Sequence, residues 1–187
     1  MGITDEAVQR EQAVEFATFW SRAWAYILDG ILLGAFALTF NAINIANFKS
    51  FLLYLLVALI SISYKPIMEC SYGATLGKML LKLKVTDQNF NPIDFRQSLF
   101  RSLILIIPSI LYIPIYYFAF SNETLLRSTQ IVEFSTGFAA AYPLQAVVGE
   151  LAFIIVVIDL IVLLTDKTRT RRSLHDRLGK TFVIFDR

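Results

Sequence analysis

The chain has 187 residues, 56% hydrophobic and 14% aromatic, with a mean hydropathy of +0.60, and it holds apolar runs near twenty residues. That composition belongs to the membrane class and excludes an ordinary soluble core. One cysteine, Cys70, excludes an internal disulfide framework, and one histidine excludes Cys/His zinc spacing. No metal, cofactor or nucleic-acid partner is expected.

Residues 1–20 carry Asp5, Glu6, Arg10, Glu11 and Glu15 among Ala, Val and Phe, which reads as a short polar or amphipathic lead-in. No cleavable signal peptide is expected, because a positive n-region and a small-residue cleavage site are missing. Residues 21–187 then form a membrane domain. About twenty predominantly apolar residues suffice to cross a bilayer, and on that criterion spans fall near 21–44, 50–68, 98–120 and 143–165. The short polar stretch NAINIANFK makes the first two antiparallel neighbours. Residues 121–142 are long and mildly polar and suit an interfacial helix.

Basic residues decide which loops stay in the cytoplasm. Fifteen of the seventeen Lys and Arg fall in residues 1–22, in the segment around 65–101 and in the tail, against Lys49 and Arg127 in the opposite loops, so both termini are expected inside. The polar segment 69–97 changes character along its length. Gly73 to Leu83 reads as a turn and short helix at headgroup level, with Lys78 and Lys82 on one face. LKVTD, the turn in QNFNP and PIDF then read as a small β-hairpin, to which TFVIF in the tail 166–187 could add a strand. The expected fold is an all-α integral membrane protein with four transmembrane helices and a small cytoplasmic cap containing that hairpin.

Polar residues inside apolar spans point to sites, because an ionised carboxylate in hydrocarbon costs at least about 2.5–3.5 kcal/mol. Arg22 and Asp29 share one face of the first span, roughly 10 Å apart in rise. Asp159, seven residues before Asp166, lies at matching depth in the fourth span, and the two carboxylates could face each other if those helices pack. Such a pair would share a proton or hold a cation; the rival reading is a structural ion network with Arg22 and Arg101. Glu150 is placed by the favourable dipole near a helix start. Pro108 and Pro114 are expected to bend the third span, and Gly30 and Gly34 to admit a neighbouring helix. The basic tail attracts anionic lipid. In it His175 and Asp176 are adjacent, but neighbours on a helix point about 100° apart, and with no nucleophile motif beside them no enzyme is expected. The Asn122-Glu-Thr sequon is a chance triplet.

Four blocks, FWSRAWAYILDG, GATLGKMLLKLKVTD, RQSLFR and RSLHDRLGKTFVI, in this order and spacing, resemble the RDD family of bacterial membrane proteins. The resemblance places the family's arginine on Arg22, its first aspartate on Asp29 and its second on Asp176, and carries over Gly73, Thr75, Gly77, Lys78, His175 and Arg101. Asp159 and Glu150 match no motif of the family. The resemblance implies a multi-pass protein of the bacterial inner membrane, with transport of unidentified ligands or sodium–proton exchange suggested for some members. The leading expectation is a transporter that binds a monovalent cation or proton at Asp29 and Asp159, with Arg22, Arg101 and Asp176 as electrostatic partners. Four helices enclose little room, so a homo-oligomer in the lipid bilayer is expected. The alternative is a non-transporting scaffold or regulator held by a structural ion network.

Overall fold

In the computed structural model, residues 14–186 are described. They form helices α1 (Phe19–Ile43), α2 (Phe51–Tyr72) and α3 (Leu76–Leu80), strand β1 (Leu83–Asp87), helices α4 (Phe95–Ala119), α5 (Glu123–Leu126), α6 (Ile131–Ala141), α7 (Leu144–Thr165) and α8 (Leu174–Gly179), and strand β2 (Thr181–Phe185). Four helices are long and apolar enough to cross a membrane: α1 with its extension to Phe48, α2, α4 and α7. They lie where the hydropathy places them, within four residues at each end. Large apolar side chains stay exposed along them, Ile31 at 65% and Phe153 at 69%, as suits helices solvated by lipid.

By packing the chain divides into two units. The first takes in Met1–Asp29, as far as it is described, together with Lys65–Ser102 and Ile158–Arg187. Its apolar core is Ala17, Ala25, Leu83, Val85, Ile93 and Val183, so the inward faces of two strands pack on the start of α1. β1 and β2 are antiparallel, with Leu83 opposite Phe185 and Val85 opposite Val183. The cap therefore contains the expected sheet, but its second strand is the tail TFVIF; the PIDF segment contributes one bridge, between Thr86 and Pro92. β-branched and aromatic TFVIF is the better strand former. The lead-in also joins this sheet: the Ala17 amide donates to the Val183 carbonyl at 2.9 Å, and the Phe185 amide donates to the Glu15 carbonyl at 2.9 Å. The acidic residues Asp5, Glu6 and Glu11, with Arg10, lie outside the described residues.

The second unit takes in Gly30–Tyr64 and Leu103–Val157. Its core is aromatic: Tyr54 stacks on Tyr116 at 4.1 Å, and Tyr116 on Phe138 at 4.6 Å. α6, the helix expected in the long loop, buries Phe134 and Phe138, four apart on one face. NAINIANFK is not a polar turn. Its residues Asn44–Phe48 continue α1 as a π turn, and the buried Asn44 amide group accepts from the Ser50 amide at 3.0 Å and donates to its carbonyl at 2.9 Å. Asn122 is the N-cap of α5, accepting from the Thr124 amide, a structural reason for the triplet.

Three other expectations change. Nothing within 4 Å would meet a Cβ at Gly30 or Gly34, so among the described residues no helix approaches there. Lys78 and Lys82 share no helix face, because α3 ends at Leu80 and Lys82 is left-handed, with φ 53°. Glu150 is exposed and lies beyond the first turn of α7, which holds no acid, so the helix dipole does not account for it. α4 runs unbroken through Pro108 and Pro114.

Candidate functional site: a buried charge cluster in the first unit

The cluster is assembled around α8. Ser173 and Asp176 close a capping box on this six-residue helix: the Ser173 hydroxyl accepts from the Asp176 amide at 3.4 Å, and the Asp176 carboxylate accepts from the Ser173 amide at 3.2 Å. Asp176 is fully buried and serves two further donors. Arg22 Nη1 donates to Oδ2 and Arg101 Nη1 to Oδ1, the latter at 2.6 Å. Burial works to raise the Asp176 pKa, yet the two guanidiniums overcome it and hold the carboxyl well below its usual range.

Arg101, also fully buried, is shared with a second carboxylate. Its Nε donates to Glu69 Oε2 at 2.9 Å, its Nη1 also donates to the Thr181 hydroxyl, and Lys78 Nζ donates to Glu69 Oε1. Burial strips water from Lys78 and lowers its pKa to about 8, with Glu69 opposing the shift. Arg22 is more narrowly held. Its Nε and Nη2 are buried without a partner among the described residues, so Asp176 is the carboxylate that balances it.

Asp29 is not bonded to Arg22. One oxygen accepts from the Thr75 hydroxyl at 2.6 Å and the other from the Gly77 amide at 2.8 Å. Thr75 makes no side-chain cap of its own, so Asp29, reaching from α1, supplies the cap of α3. A carboxylate suits that place because the first amides of a helix lack intrahelical partners. Gly77 is needed for close approach: a Cβ there would collide with the Ala25 carbonyl and lie 3.0 Å from the Asp29 carboxyl carbon. Gly73 is left-handed, with φ 72°, and its carbonyl accepts from the Val85 amide at 2.7 Å. Two of the motif glycines thus have separate steric reasons.

Asp159 plays the corresponding part for α8. It accepts from the His175 amide at 2.9 Å, and its oxygens lie 2.9 and 3.0 Å from His175 Nδ1. The expected meeting of Asp29 with Asp159 is replaced by these separate bonds: each span carboxylate caps a different short helix. His175 Nε2 lies 3.5 Å from Asp176 Oδ1, so the strong partner of the imidazole is the distant Asp159, not its chain neighbour. Burial pushes the His175 pKa down against the pull of Asp176 and Asp159, which leaves the ring neutral at pH 7, its proton assigned to Nδ1 by the Asp159 bond.

Sequence reasoning missed Glu69, Lys65, Thr181 and Gly179. Glu69 was legible as an acid next to the second span, but ending that span at 68 put it outside; α2 runs to Tyr72. Lys65, four residues earlier on the same helix face, is within electrostatic range of Glu69, Asp159 and Asp176. Gly179 brings α8 against Arg101, since a Cβ there would lie 3.0 Å from the Gln97 carbonyl and collide with the Arg101 stem. Counted together, Asp29, Glu69, Asp159 and Asp176 are balanced by Arg22, Lys65, Lys78 and Arg101. Holding these carboxylates ionised calls for no imported cation.

Compared with known families, the chain matches the model described as the RDD family over residues 16–180. Comparison with curated proteins and with solved structures finds no match.

Proposed function

The chain belongs to the RDD family, and from the geometry of its charge cluster we propose that it is a non-transporting membrane scaffold or regulatory protein, in which the Arg/Asp residues form a structural ion network. The observation that carries this reading is the use of Asp29: both of its oxygens are taken up in capping α3. Asp176, fully buried between Arg22 and Arg101, adds the same meaning. Removing one member of a buried pair costs about 3–5 kcal/mol, so these charges tie the cap firmly to the helix ends. No reaction is assigned to the site. In this reading the protein works in a bacterial inner membrane as a homo-oligomer with both termini cytoplasmic; the gathering of Lys and Arg before Trp24, in the cap and in the tail supports that orientation.

A second reading, proton- or cation-coupled transport, draws on the Asp159–His175 pair. Its side chains keep 18% and 22% exposure, and no guanidinium holds Asp159 among the described residues. One experiment decides between the two: sodium and proton flux in proteoliposomes, measured beside thermal unfolding, for the parent, Asp29→Asn and Asp159→Asn. The scaffold reading expects flux no higher than in protein-free vesicles and a lowered Tm for Asp29→Asn. Flux in the parent that either substitution abolishes, at unchanged Tm, refutes it.

A further inference from the structure

Away from the charge cluster, a groove of about 840 Å³ runs between the segment leading into α1 and the end of α7. Its lining is of two kinds. Phe19, at the start of α1, and Leu163 and Leu164, in the last turn of α7, give it apolar lining, and Lys167, Arg169 and Arg171, in the loop after α7, give it basic lining. Glu15 and Asp166 also border it. Arg169 is held against the lead-in, its Nη2 donating to the Val14 carbonyl at 3.3 Å and its guanidinium 6.0 Å from the Phe16 ring centre, and the Asp166 charge is turned into the loop. One oxygen of Asp166 accepts from the Thr168 amide at 2.9 Å and hydroxyl at 2.6 Å; the other accepts from the Arg172 amide at 2.8 Å and Arg177 Nη2 at 3.2 Å. Tethered in this way, the loop presents Lys167, Arg169 and Arg171 at alternate positions as exposed side chains. Trp20 and Trp24, 69% and 56% exposed at the same end of α1, mark the depth at which amphipathic rings meet headgroups.

We propose that this groove is a binding site for one anionic phospholipid, its phosphate between Lys167 and Arg171 and its acyl chains along Leu163, Leu164 and Phe19. The pairing of apolar and basic lining selects the occupant. A soluble anion leaves the apolar lining unused, and a zwitterionic lipid brings no net charge to Lys167 and Arg171. The volume lies within the range of about 300–1,000 Å³ usual for ligand sites. A basic pocket at the end of membrane helices is a setting in which anionic headgroups are held. The proposal does not depend on whether the charge cluster moves ions.

The test is native mass spectrometry of the full chain, delipidated in detergent and offered phosphatidylglycerol and phosphatidylcholine in equal amounts. One phosphatidylglycerol per chain is expected to be retained in preference to phosphatidylcholine. Lys167→Gln and Arg171→Gln should each weaken retention about fivefold, and roughly thirtyfold together, from the usual attraction of one basic residue to an anionic surface. Both side chains are exposed, so the variants keep the fold; unchanged thermal unfolding checks this. Arg127→Gln with Lys180→Gln removes the same charge outside the groove and should leave retention unchanged. Equal loss in that control, equal retention of the two lipids, or displacement of the lipid by millimolar inorganic phosphate would overturn the proposal.

Discussion

Replacing Asp176 by Asn keeps the shape of the side chain and removes its charge from a fully buried site. The two guanidiniums do not lose equally. Arg101 retains Glu69 at 2.9 Å and the Thr181 hydroxyl, whereas Arg22 loses the carboxylate that balances it. The cost is thus chiefly one uncompensated buried cation at Arg22, of the order of 3–5 kcal/mol for a broken buried pair. For a chain of this size each kcal/mol moves Tm by about 2–4 °C, so a fall of roughly 6–20 °C is expected, read by tryptophan fluorescence in detergent. Trp20 and Trp24 flank Arg22 in sequence and report on that part of α1. Removing the orphaned charge as well should help: Arg22→Met with Asp176→Asn is expected to be more stable than Asp176→Asn alone, the mark of coupled residues in a double-mutant cycle. A Tm for Asp176→Asn within about 2 °C of the parent, or strictly additive losses in the double variant, would refute the clamp.

Gly77→Ala should lower stability by about 1–3 kcal/mol, because the new Cβ meets the Ala25 carbonyl, while Gly30→Ala, in open space, should be close to neutral; both are read by thermal unfolding. His175 supplies a pH dependence. Its folded pKa lies below its ordinary 6.5, so the unfolded chain binds more protons between the two values; stability should rise with pH up to about 6.5 and then level off. His175→Gln should flatten that rise in denaturation midpoints measured across this range, and an unchanged profile would contradict the neutral ring. Asp166, whose pKa burial works to raise, is brought down to about 2 by the bonds from Thr168 and Arg172, so its contribution is present above its ordinary 3.8 and lost as pH falls through about 2. Asp166→Asn should remove that part of the acid transition.

The capping of the short helices shows where reading along the chain stops. Capping boxes such as Ser173 with Asp176 join residues three apart, and LHD after a serine is visible in sequence. The caps supplied by Asp29 and Asp159 reach 48 and 16 residues away, and no local pattern marks them. Depth along a helix can be counted, and it put both aspartates near the basic ends of their spans; rotation about the helix and the choice of partner cannot. That is why two carboxylates at equal depth were expected to face each other and instead serve different helices. The same limit hid Glu69, whose meaning comes from Arg101 and Lys78.

The four long helices were set by the sequence itself, because twenty or so predominantly apolar residues must leave water wherever the rest of the chain goes. So were the strand tendency of LKVTD and TFVIF and the gathering of basic residues beside the spans. Only the tertiary structure decided that TFVIF and not PIDF pairs with LKVTD, and that Arg22 meets Asp176 across 154 residues and leaves Asp29 to α3. The reason is physical. Hydrophobicity acts through the composition of a segment, whereas a buried charge is tolerated only by a particular partner at bonding distance, and that partner is chosen when distant segments pack.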